Sequence, residues 1–202
     1  NEYHDYNIML RPGRRKKYFA SAVTASGVVH YLDSLLSGVP GNQEPALKRI
    51  YLISVPTGYS NRSFMDILAE GAMYRGLDTE SYYCAMFPDE KIEHLIIPAT
   101  GTAFMTLNEY HDIEPWELMQ ENGPEIILVD VSDYMNSRKL EENHALLTSL
   151  RIEYDILINH AVKCLEKARD IHMCVENLYI PNMNFSEIGD LGDRLIEELK
   201  AL

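Results

Sequence analysis

The chain has 202 residues, 46% of them hydrophobic and 24% charged, and a net charge of −13 at pH 7. This length and balance describe an ordinary soluble globular chain with one substantial core, and the negative charge argues against nucleic acid or an anionic membrane as the main partner. Cys84, Cys164 and Cys174 suit a reducing compartment rather than a disulfide framework. With no membrane-spanning apolar run and no signal peptide, a cytoplasmic location is expected. A start at Asn1 rather than methionine reads as a piece of something longer.

In chain order, "RPGRRKK" (11 to 17) packs five of the 18 basic residues into seven positions. Residues 1–18 therefore read as a basic N-terminal arm, either touching phosphates or serving as a solvated lead-in. "ASGVVHYLDSLLSG" (25 to 38) places Val28, Val29, Leu32, Leu35 and Leu36 on one helical stripe ending at Gly38. "RIYLIS" (49 to 54) is β-rich and nearly continuous in apolar character, as in a strand covered on both faces. A helix is expected from Ser63 to Arg75, with Phe64, Leu68, Ala72 and Met65 inward, closed by Gly76. Strands follow at 77–84, at 94–107 (two, around a glycine turn) and at 125–131. This alternation is the rhythm of a parallel α/β sheet, which binds ligands beyond the carboxyl ends of its strands.

From Lys139 to Tyr179 there is no proline or glycine. Leu147, Leu150, Tyr154, Leu157, Ala161, Cys164, Ala168, Ile171, Val175 and Leu178 form an unbroken three-four seam, which predicts one long coiled-coil-like helix. A last helix, about 185 to 200, would take Ser186 as its N-cap. "NEYHD" occurs at 1–5 and again at 108–112, with unlike flanks. It is read as coincidence or as a trace of duplication.

The turn after "RIYLIS" stands where a Walker A loop belongs. Such a loop uses glycines to curl backbone N–H groups around phosphates, a lysine to neutralise charge and a hydroxyl to bind Mg²⁺. "VPTGYSNRS" (55 to 63) keeps the start of a helix and Gly58 but has no Gly-Lys pair. Several stretches carry a wider likeness: "FASAVTASGVVHYLDSLL" (19 to 36), "RIYLI" (49 to 53), "RGLDTESYYC" (75 to 84), "EKIEHLIIP" (90 to 98) and "NMNF" (182 to 185). On them the chain resembles a family of uncharacterised bacterial ATPase-like proteins built from two tandem P-loop domains, and it matches the second domain. Against that pattern one register puts Asn61 in place of the lysine, with Ser60 and Val55 replacing glycines. The other register puts Arg62 there and Ser63 in place of the Mg²⁺ ligand, with Asn61 and Pro56 replacing glycines. Neither restores the motif, and a planar guanidinium is a poor substitute for the lysine.

Gly58, Ser60, Asn61, Arg62 and Ser63 are therefore the candidate phosphate-binding residues. Asp130, after "IILV", fits a Walker B acid or a helix cap. Glu109 and His111, beyond the strand end at Thr106, are candidate acid–base groups or packed loop residues. His160, Cys164, His172 and Cys174 fall on the long helix at spacings a metal could use. Cys164 belongs to the apolar seam, however, so no metal site is expected.

These readings converge on an α/β, three-layer P-loop NTPase-like fold with a mostly parallel sheet (19–135) and a long helical arm (136–202). The resemblance implies a structural or regulatory half of a tandem ATPase with weak or lost nucleotide binding, without hydrolysis. ATP and Mg²⁺ become cofactors only if the loop functions. The alternatives are an active ATPase or small-molecule kinase using Arg62 and Ser63, and an interaction module built on the long helix. The expected partner is a sister P-loop domain or a second copy met through that helix, not a membrane or a nucleic acid.

Overall fold

The computed structural model describes residues 11–36, 47–55, 62–119 and 123–201. Its centre is a six-stranded sheet of β1 (Arg15–Phe19), β4 (Arg49–Ser54), β5 (Thr79–Cys84), β6 (Phe87–Ile97), β7 (Thr102–Leu107) and β8 (Glu125–Asp130). The spatial order is β1-β5-β6-β7-β4-β8, and β6 alone runs against the others. Apart from β6, the strands run parallel, as the alternating pattern predicts.

The β4 sequence explains its central place. Ile50 and Leu52 face one side with Met105 and Ala103, while Ile53 faces the other with Ile92 and Leu95; these residues are fully buried. Helix α2 (Arg62–Tyr74) covers the second face through Met65, Ala69 and Ala72. Leu68 packs there too, but Phe64 is exposed, so the buried stripe is rotated from the expected one. Gly76, at φ +77°, closes the helix by donating its N–H to Met73 O, a conformation that favours glycine.

The opposite face is covered differently from the expectation. Residues 21–30 are not helical: β2 (Ser21–Thr24) and β3 (Gly27–His30) form an antiparallel hairpin, and only α1 (Leu32–Leu36) is a helix. The apolar spacing of Val28, Val29 and Leu32 suits either period. β-branching favours the strand, and Gly27 at φ +105° makes the turn, held by Thr24 Oγ1 donating to Gly27 O at 2.9 Å.

The basic segment is also sheet in part. Arg15–Phe19 is the edge strand β1, with Lys16 bound to Glu80 at 3.4 Å and Lys17 over the Tyr83 ring. Charge along an exposed edge discourages pairing with other chains. Arg14 donates its backbone N–H to Asp78, which lowers the pKa of that carboxyl.

After α3 (Pro115–Leu118), β8 and the short α4 (Ser137–Glu142), Asn143 breaks the chain direction and α5 (His144–Tyr179) begins. Its 36 residues span roughly 54 Å at ~1.5 Å per residue. Ile158 is its one buried residue among those described, and Val162 is half-buried. The predicted seam, including Leu157, Ile171 and Leu178, stays largely exposed. Helix α6 (Phe185–Lys200) buries no residue, and its cap is Asn184, whose Oδ1 accepts from Glu187 N, rather than Ser186. No described helix is long and apolar enough to cross a membrane.

Gly13 gives a sharp test of how the lead-in is seated. A Cβ there would lie 1.9 Å from Leu77 O, while one on Gly189 of α6 would meet nothing within 4 Å. Gly13→Ala should destabilise the fold by about 1–3 kcal/mol. Gly189→Ala should stabilise it by about 0.5–1 kcal/mol. Urea denaturation of both variants checks the pair.

Candidate functional site

The carboxyl end of β4 pairs with the ends of β7 and β8: Ser54 lies beside Leu107 and Asp130. Asp130 sits at this strand end and Arg62 opens α2, and both side chains are engaged by groups of the chain itself. Gly58, Ser60 and Asn61 lie outside the described residues. Arg62, the first residue of α2, binds Glu90 at 2.8 Å and Asp66 at 3.9 Å. Ser63 is exposed at the second position of the helix. Asp130 accepts from Ser132 N at 2.8 Å and caps the following turn; the Ser132 hydroxyl first and this backbone N–H second lower its pKa.

Beyond β7 the chain folds into a tight turn. Asn108 Oδ1 accepts from the backbone N–H groups of Tyr110 and His111, and Asn108 bridges His111 across the turn. The short polar side chain thus organises its own loop. The turn points its residues two ways. Glu109 pairs with Arg151, and Tyr110 Oη donates to Asp155 at 2.9 Å while its ring meets Tyr154. These contacts dock the start of α5. His111 turns inward instead and is 3% exposed.

His111 enters a buried polar cluster that the sequence does not announce. β6 carries one extra residue, Glu93, between the pairs Tyr83–Ile92 and Tyr82–His94. Such a bulge breaks the alternation and re-aims a side chain. Ile92 consequently lies under α2, whereas Ile96, two residues beyond His94, packs on the other face. Glu93, His94 and His111 each bring one donor atom to within 4.8 Å of the others, and all three are buried.

The partners inside are few. Lys91 Nζ approaches Glu93 at 3.2 Å, and His111 Nε2 lies 3.3 Å from Glu93 Oε2 without the alignment of a hydrogen bond. Thr106 N donates to His94 Nδ1 at 3.2 Å, and Thr106 Oγ1 donates to Glu93 O. His94 Nε2 and both His111 nitrogens lack hydrogen-bond partners, as does His30 Nδ1. The His94 and His111 rings meet edge to face at 4.9 Å, with His30 behind His111 at 6.3 Å. An unsatisfied buried polar group costs about 1–3 kcal/mol, so the cluster is an expensive feature of the core.

Burial pushes both imidazoles below their ordinary pKa, His94 strongly. His111, His30 and Lys91 add to the effect at His94. At His111 the Glu93 carboxylate opposes burial without cancelling it, while His30 and Lys91 reinforce it. Both rings are therefore neutral donors near neutral pH. Burial followed by the Glu93 charge raises the neighbouring Cys84 thiol.

Of the cluster, only His111 was accessible to motif reading. Glu93 and His94 sit inside the "EKIEHLIIP" stretch as ordinary strand residues, and no spacing links them to His111. Comparison with family models, curated proteins and solved structures finds no match to this chain.

The depressed imidazoles set a pH dependence with a definite sign. The unfolded chain takes up protons near pH 6.5 and the folded chain only at lower pH. Stability should therefore be level above about 6.5 and fall as the pH drops toward the folded values. Urea midpoints measured between about pH 5 and 7.5 should show this slope, and it should shrink in His94→Asn.

Proposed function

We propose that this chain is a P-loop-like α/β domain that has lost phosphoryl chemistry and serves as the structural or regulatory half of a tandem ATPase-like protein in a bacterial cytoplasm. The strand–turn–helix arrangement of β4 and α2 at the carboxyl end of a mostly parallel sheet is compatible with this reading. One observation carries it: Arg62, the cation nearest the lysine position, is held by Glu90 and Asp66. A guanidinium neutralised by its own carboxylates must break those pairs before it can meet a phosphate. Pairs as exposed as these contribute about 0.2–1 kcal/mol, so breaking them lowers affinity by up to about fivefold. Asp130, the candidate Mg²⁺ acid, is likewise engaged in capping its own turn.

A thermal-shift titration with ATP and Mg²⁺ tests the proposal. No saturable rise in melting temperature is expected up to millimolar nucleotide. A saturable rise that disappears in Arg62→Ala would overturn it in favour of an active ATPase or kinase using Arg62, Ser63 and Asp130.

A second reading, an interaction module, is favoured by the uncovered apolar faces of α5 and α6. Ile171, Val175 and Leu178 on α5, and Ile188, Leu191 and Leu195 on α6, are exposed. A sister domain or a second copy would cover them. If the partner is a second copy, light scattering should give a mass above the monomer that falls in Leu178→Glu. A monomer at every concentration removes self-association through this helix.

A further inference from the structure

We infer that Glu93, His94 and His111 form a binding site for a divalent transition ion of the zinc class, held between the sheet and the layer that carries α5. The inference is independent of the phosphate loop, which lies in a different part of the chain.

The donor set is the first ground. Two imidazoles and a carboxylate match the preferences of Zn²⁺ and its first-row neighbours and leave coordination positions open. Their donor atoms already converge to within 4.8 Å. The second ground is independent of the count of ligands. His94 Nε2 and both nitrogens of His111 are deeply buried and lack hydrogen-bond partners, an arrangement that an ion would satisfy. The third is the bulge at Glu93, which turns a strand residue into the cluster at the expense of sheet regularity.

Two groups compete with the ion. Lys91 holds Glu93 at 3.2 Å and must release it or share it. Thr106 N–H directs its proton to His94 Nδ1, which places the ring's own proton on Nε2 in the metal-free chain. An ion at Nε2 therefore requires the ring proton to move to Nδ1, with the Thr106 N–H giving up its acceptor. A groove of about 680 Å³ lies beneath α5. It is lined by Ala85, Met86, Tyr154 and Ile158, and Tyr154 is close enough to Glu93 to feel its charge.

The experiment is a Co²⁺ titration of the whole chain after dialysis against chelator, read by visible absorbance and melting temperature. One equivalent should bind, with absorbance and melting temperature rising together. Glu93→Gln and His111→Gln, shown to be folded by circular dichroism, should weaken binding by roughly tenfold or more. Lys91→Met should tighten it, and this substitution removes only a partly exposed cation, so its folding is not in doubt in the same way. His172→Gln should change nothing; it removes the rival pair on the α5 surface, where His172 Nε2 lies 3.0 Å from Glu176. No saturable change in the wild type at a hundredfold excess of Co²⁺ would overturn the inference. So would binding that is lost in His172→Gln and kept in His111→Gln, or that is unaffected by Lys91→Met.

Discussion

Strand β6 has to serve two cores at once, and the single extra residue Glu93 is how it does so. Ile92 and Leu95 belong to the packing beneath α2, while Ile96 belongs to the packing beneath α1. Strict alternation would set Ile92 and Ile96 on one side of the sheet. The bulge shifts the register, and each apolar residue reaches its own layer. Its by-product is a carboxylate and an imidazole lodged in adjacent buried positions.

The Asn108 turn completes what the bulge starts. Its side-chain oxygen collects two backbone N–H groups, so the four-residue segment has little freedom. Because Glu109 and Tyr110 are bound to α5 through Arg151 and Asp155, the helix and the buried histidine are positioned by the same short loop. Movement of α5 would be felt at His111, since one turn holds both. The polar cluster is thus tied to α5 through the Asn108 turn, whereas Arg62 is bound to Glu90 of β6 and to Asp66 of its own helix, and Asp130 caps its own turn.

The contrast between the two ends of α5 follows from what each end touches. The first part rests on the hairpin and on the Asn108 turn through Tyr154 and Ile158. The later part has an apolar seam and no buried residue. The stripe is exposed along that part of the helix.

What the chain determines by itself is what short-range chemistry can encode. The β-rich run at 49–54, the 3.6-residue period of 62–74, the glycine at 76 and the proline-free stretch of α5 each announce their element from within a few residues. At 25–38 two periods fit the same apolar residues, and the choice fell to the hairpin because Gly27 could adopt a positive φ beside β-branched neighbours. For α5 the period was legible but the docking face was not. Ile158, Val162 and the seam residue Tyr154 are covered, whereas Leu157 and the rest of the predicted seam stay exposed. Of the site, His111 could be singled out as a candidate, whereas Glu93 and His94 could not. Their convergence depends on sheet register, a bulge and a turn that bring distant segments of chain together, and no local pattern carries that information. Only the tertiary fold decides which side chains share a buried volume, because burial and proximity are properties of packing rather than of neighbours along the chain.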